Sequence, residues 1–245
     1  MLEIRDICVS SNGKEIVKGV NLKIKSGETH VLMGPNASGK STLSLALAGH
    51  PSYKITSGKI LLDKKDITSL TPDKRAKLGM FLAMQYPIAV SGVPVFNFLR
   101  ASYRTLRDNK VEPKDFMDSI GKKAEAFKFN GGLLERNVNE GFSGGEKKKF
   151  EILQLDLLKP KYAILDEPDS GLDIDALKIV AAKIKQAAKE GTGILLITHY
   201  QRILRYLPVD WVHILLDGKL VESGGHKLAQ EIENKGYKSF SNYGK

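Results

Sequence analysis

The chain has 245 residues, a formal net charge of +10, 42% hydrophobic and 27% charged residues, and one cysteine, Cys8. That length supports one sizeable core, and the balance of apolar and charged residues is that of a globular protein, not a disordered one. A single cysteine excludes an internal disulfide, a cysteine-based zinc site and a four-thiolate iron–sulphur site within one chain; no run approaches the ~20 apolar residues of a membrane span, and the start MLEIRDICVS lacks a signal peptide's apolar stretch, so a cytoplasmic protein without membrane insertion is expected.

The basic excess points to acidic partners such as a nucleotide, a nucleic acid or an acidic protein face. The lysines are dispersed, as at Lys64 and Lys65 or Lys147 to Lys149, without the interleaved aromatics of a stacking platform. A solvated basic surface is therefore expected, and no nucleic acid.

Leu2 to Val9, Val20 to Ile24 and Thr29 to Met33 read as strands, separated by turns at Asn12-Gly13 and Ser26-Gly27. Cys8 is expected as a small core residue of the first strand. A glycine-rich turn leads into a helix from Lys40 to Ala48. Lys59 to Leu62, with the turn Asp63-Lys64-Lys65, suggests a hairpin, and Met80 to Ala83 a further strand.

From about Pro87 to Leu158 strand patterning stops and helical spacing takes over, as in Phe116, Ile120, Ala124 and Phe127. This predicts one domain with its core in residues 1–86 and 159–245 and a helical subdomain inserted at 87–158. The remainder alternates: strand Tyr162 to Leu165, helix Ala176 to Lys189, strand Gly193 to Thr198, helix Gln201 to Leu207, strands Trp211 to Leu216 and Lys219 to Glu222, and a closing helix from Lys227 to Asn234. Such alternation implies an α/β fold with a mostly parallel sheet and helices on both faces.

Gly34, Pro35, Asn36, Ala37, Ser38, Gly39, Lys40, Ser41 and Thr42 fit G-x-x-x-x-G-K-[ST], between a strand and a helix. In a phosphate loop of this kind successive backbone N–H groups and the helix N-terminus face the phosphates, Lys40 neutralises them and Ser41 ligates Mg²⁺. The apolar strand before Asp166 and Glu167 ends in two acids, at the sheet edge where α/β ligands bind. Asp166 is expected to hold the metal, and Glu167 to orient and deprotonate the attacking water. Ser143, Gly144 and Gly145 open another helix, with Ser143 as a natural N-cap. One chain needs only one phosphate site, so this surplus suggests service to a nucleotide bound by another subunit; an ordinary capped helix is the alternative.

In this order the motifs resemble the ABC ATPase superfamily across nearly the whole chain. The resemblance implies a phosphate-loop NTPase with an N-terminal antiparallel β-subdomain and an inserted helical subdomain. It also implies ATP and Mg²⁺ as substrate and cofactor, and a transient head-to-tail homodimer in which Ser143, Gly144 and Gly145 cover ATP held by Lys40 of the other copy. Gln85 becomes the Q-loop glutamine that contacts Mg²⁺ and a partner, Ser170 to Asp173 the D-loop, and His199 the histidine at the γ-phosphate. Phe142 and Glu146 depart from the superfamily's usual signature residues, and no aromatic lies between Val9 and Lys14, where its adenine-stacking residue usually sits.

Longer stretches, Met84 to Pro87, Gly141 to Lys148, Asp169 to Lys178 and Thr198 to Leu204, are similar to the SufC family of iron–sulphur cluster assembly ATPases, with a local mismatch at Ala89 and Ser91. That likeness implies SufB-like and SufD-like scaffold partners. Two other readings stay open: the nucleotide-binding subunit of an ABC membrane transporter, and a non-hydrolysing nucleotide-sensing module. From charge alone, Lys148 is expected to pair with Glu167 and hold the isolated subunit inactive.

Overall fold

Alternation of apolar and polar residues in Leu2–Ser11 (β1) and Lys14–Ile24 (β2) favours a hairpin with one buried face. The structure, a computed structural model describing residues 1–107, 110–129, 132–199 and 202–240, pairs these strands antiparallel around Asn12-Gly13, both at positive φ. Lys54–Leu62 (β4) pairs with the other edge of β1, and the short Lys65–Asp66 (β5) completes an antiparallel sheet in the order β2-β1-β4-β5. β2 begins six residues before the expected Val20, because its first half is polar and its strand character comes from pairing with β1.

The second sheet has the order β12-β11-β3-β10-β9-β6, formed by Lys219–Gly224, Trp211–Leu216, Thr29–Met33 (β3), Gly193–Ile197 (β10), Tyr162–Asp166 (β9) and Met80–Ala83 (β6). All neighbours are parallel except the β11–β12 hairpin. β3, β9 and β10 are buried at every position, as unbroken apolar runs in a parallel sheet covered on both faces require.

One face packs with the β1–β4 sheet and helix Lys40–Ala48 (α1) around Ile4, Val17, Leu43, Leu47 and Ile197. The other packs against the helices that follow β6, including Val95–Leu106 (α3), Pro113–Ala126 (α4), Gly144–Leu158 (α5) and Ile174–Lys189 (α6), around Phe116, Phe150, Leu165 and Ile184. Helix Pro72–Lys77 (α2) supplies Arg75, whose buried guanidinium donates to Ala46 O (2.9 Å) and Leu47 O (2.7 Å), carbonyls at the C-terminal end of α1. The phosphate-loop helix is thereby fixed at its far end.

Three expectations need correction. Strand patterning does not stop in the inserted segment: Val90–Pro94 (β7) pairs with Asn137–Val138 (β8), two segments whose pairing is non-local and too short to show periodicity. Of the helix expected from Gln201 to Leu207, Gln201 lies outside the described residues, and Leu204–Tyr206 forms only a 3-10 turn. Cys8 is half-buried on β1 and accepts a hydrogen bond from Gly19 N at 3.2 Å, so it is not a core residue. Among the described residues, no helix is long and apolar enough to cross a membrane.

Candidate active site

Register places the chemistry. β3 ends at Met33, directly before Gly34; Ile197, at the end of β10, pairs with both Leu32 and Asp166; and Leu165 pairs with Ala83, two residues before Gln85. The phosphate loop, the two acids, the residues after β10 and the Q-loop therefore leave the sheet at one carboxyl edge. A cleft of about 1090 Å³ opens there, lined by Asn36, Ala37, Ser38, Gly39, Lys40, Ser41, Thr42, Gln85, Glu167, Ser170 and His199.

The loop's shape depends on close backbone approach. A Cβ on Gly34 would lie 2.3 Å from Leu215 O, and Ala37 and Gly39 sit at φ 62° and 105°. Lys40 Nζ donates to Gly34 O and Pro35 O, both at 2.8 Å. Burial holds the ammonium below the ordinary lysine range, opposed by the charges of Glu167 and Asp166.

Asp166 is pushed up by burial, with the Ser44 and Ser41 hydroxyls pulling the other way; Ser44 Oγ donates to Oδ2 at 2.8 Å. Its Oδ1 is buried with no hydrogen-bond partner. A carboxylate with an open oxygen beside the Ser41 hydroxyl, at the cleft that Ser41 and Gln85 line, offers oxygen donors of the kind a hard divalent cation takes together with substrate phosphates. These residues fit Mg²⁺.

Glu167 leaves β9 at φ 50°, a left-handed conformation uncommon for a non-glycine residue and one that often marks functional positions. Its N–H donates to Ile197 O at 2.9 Å, and its Oε1 lies 3.3 Å from His199 Nδ1. The pairing expected between Glu167 and Lys148 is not formed. Lys148 Nζ instead donates to Met84 O (2.8 Å), Gln85 O (2.9 Å) and Asp166 O (3.3 Å). The turn at Glu167 carries its carboxylate into the cleft, leaving strand-end carbonyls to take the lysine's donors.

Ser143 caps α5 as expected: Ser143 Oγ accepts from Glu146 N at 3.2 Å, and Glu146 Oε2 accepts from Ser143 N at 2.9 Å. Arg136 donates to Glu146 Oε1 (2.9 Å) and Gly141 O (3.0 Å) and stacks 4.2 Å over Phe142. The two unusual signature residues thus share one arginine. Neither Ser143, Gly144 nor Gly145 lines the cleft of its own chain. Asp173 likewise lies outside it, capping α6 through Ala176 N at 2.7 Å.

Sequence reasoning missed several residues. Lys14, Ile16 and the Asp217-Gly218 turn complete the cleft wall beside the phosphate loop. Gly218 ties these pieces together, donating to Ser38 O (3.0 Å) and accepting from Lys18 N (2.8 Å). Asp169, fully buried, accepts from Thr198 Oγ1 at 3.1 Å and so joins the turn after Glu167 to the residue before His199. The Asp-Gly pair after an apolar strand signals a turn, but nothing local says what it touches.

A parallel sheet with a phosphate loop, paired acids and a histidine at one edge, flanked by an antiparallel sheet and a helical insertion, defines a cassette-type phosphate-loop ATPase. The chain belongs to the ABC transporter family, which it matches over residues 17–170. It hydrolyses ATP and uses Mg²⁺, as that family does. Relatives include the "Probable ATP-dependent transporter ycf16" of Cyanophora paradoxa, 50% identical over 97% of this chain and 93% of the relative, and "Vegetative protein 296" of Bacillus subtilis, 50% identical over 96% and 91%. Its fold is that of a solved ATP-binding subunit of an ABC transporter (TM-score 0.78, 23% identity, covering 100% of this chain and 95% of that one). It is likewise that of a dimeric bacterial ABC transporter cassette (TM-score 0.79, 19% identity, 92% and 98%).

Proposed function

We propose that this ATPase works in the cytoplasm as paired copies that drive a SufB/SufD-like scaffold on which iron–sulphur clusters are assembled. Lys40 and the phosphate-loop amides of one copy bind the ATP phosphates, with Ser41, Gln85 and Asp166 placed to hold Mg²⁺, which neutralises phosphate charge when bound. Ser143, Gly144 and Gly145 of the other copy cover the same nucleotide. Glu167 orients the attacking water and takes its proton; His199 fixes that carboxylate and meets the γ-phosphate; ADP and phosphate leave when the copies part.

The observation that carries the dimer is the location of the Ser143–Gly145 helix start outside its own chain's cleft. The scaffold reading rests on the stretches similar to the SufC family, and is supported by exposed apolar residues beside the Q-loop, Tyr86 (80%) and Ile88 (67%), suited to contact a partner. The transporter reading is favoured by the names of relatives such as "Probable ABC transporter ATP-binding protein SpyM3_0208" of Streptococcus pyogenes. Against a non-hydrolysing module stands the Glu167–His199 pair within the cleft.

Affinity purification from the native host separates the readings. Recovery of soluble SufB-like and SufD-like proteins supports the scaffold role, whereas recovery of an integral membrane permease overturns it. Single-turnover hydrolysis separates enzyme from sensor: native protein with its partner as inactive as Glu167→Gln would contradict an ATP-driven cycle.

A further inference from the structure

β6 is the edge strand of the parallel sheet, so among the described residues no neighbouring strand lies beyond it to pair with the backbone that follows. The half-buried backbone of Met84 and Gln85 nevertheless needs partners. They come from α5: Glu151 Oε1 accepts from Met84 N at 2.6 Å, while Lys148 Nζ donates to Met84 O at 2.8 Å and Gln85 O at 2.9 Å. The two side chains stand three residues apart on one helix face, 3.6 Å from each other and each 5% exposed. The same ammonium reaches Asp166 O at 3.3 Å. One buried Glu–Lys pair therefore joins the turn bearing Gln85, the strand end bearing Asp166 and Glu167, and the helix that begins at Ser143.

We propose that Glu151 and Lys148 are positioning residues for Gln85, fixing the Met84–Gln85 backbone so that the glutamine faces the phosphate loop and moves with α5. This rests on the metal-contacting role proposed for Gln85. Glu151 supplies the acceptor and Lys148 the donors, and a carboxyl group accepts from Met84 N whether or not it carries a proton. Loss of either side chain leaves backbone groups of the turn without their partners.

Amide hydrogen exchange on the full chain, with Mg²⁺ titration of a fluorescent ATP analogue, tests this on Glu151→Ala, Glu151→Gln and Lys148→Met. Glu151→Ala frees the Met84 N–H, so exchange across residues 81–88 should rise about tenfold. The Mg²⁺ concentration that tightens analogue binding should also rise about tenfold, while binding in EDTA changes by less than about twofold. Glu151→Gln keeps an acceptor for Met84 N and should hold exchange near the native rate. Lys148→Met strips the donor from both carbonyls and should loosen the turn as Glu151→Ala does. Native exchange and a native Mg²⁺ requirement in folded Glu151→Ala and Lys148→Met overturn the proposal; should Glu151→Ala not fold, native exchange and Mg²⁺ requirement in Lys148→Met do so. Faster exchange with an unchanged Mg²⁺ requirement supports the backbone anchor and refutes the metal role of Gln85.

Discussion

His199 Nδ1 and Glu167 Oε1 stand 3.3 Å apart, so the carboxylate proposed to activate water lies against the residue that follows β10 and Thr198 in its own subunit. The pair spans two strand ends in direct register, since Ile197 lies opposite Asp166. Replacing Glu167 with Gln preserves shape and removes the proposed base. Hydrolysis should fall by about 10²- to 10⁴-fold while ATP affinity stays close to native, measured by phosphate release and by equilibrium binding. A comparable loss of both would show that Glu167 serves binding instead.

Gly218 is the most constrained glycine of the cleft. It sits at φ 83°, and a Cβ there would lie 1.9 Å from Ile16 O. Gly218→Ala combines left-handed strain with a backbone clash and should destabilise the fold by about 2–4 kcal/mol. It should also weaken nucleotide binding, because Gly218 N holds Ser38 O of the phosphate loop. Urea unfolding and ATP titration read the two effects, and native values in both would contradict this account of the turn.

Acid sensitivity should come from the opposite end of the sheet. His30 Nδ1 and His213 Nε2 meet at 3.0 Å, with Glu28 Oε2 on the far nitrogen of His30 (3.1 Å) and Ser223 Oγ on that of His213 (2.7 Å). One proton per ring satisfies this chain. Burial lowers both rings, and the neighbouring His30 lowers His213 further, to about 3. These folded values lie below the unfolded one of 6.5, so the contribution is complete above that pH and is lost as the pH falls below it toward 3. For His213 the loss is roughly 1.4 kcal/mol per pH unit. Urea unfolding at pH 7.5 and 5.5 should show a smaller decline in His213→Gln than in the native chain; equal declines would exclude the pair as the source.

The phosphate loop and the acids at Asp166 and Glu167 were legible in the sequence because each motif is contiguous, and each sits where a strand ends in a parallel sheet. The N-cap at Ser143 was legible because Ser-Gly-Gly directly precedes a helix, whereas the reciprocal bond from Glu146 appears only in the structure. What Lys148 touches was not: charge alone favoured Glu167, but the left-handed turn at that residue, invisible in composition, sends its carboxylate to His199. Arg75, a lone arginine in a short polar helix, gives no local hint that it secures the end of α1. The β7–β8 ladder and the approach of Ile16 to Gly218 are likewise products of tertiary packing.

The central claim is that each nucleotide is served by Lys40 of one copy and Ser143 of the other, and mixing two inactive variants tests it most directly. Lys40→Ala and Ser143→Arg should each hydrolyse little ATP alone. In an equal mixture half the dimers are hybrids holding one intact composite site of two, so about a quarter of native activity should return. A mixture no more active than its parents, or full activity in Ser143→Arg alone, would contradict the shared site.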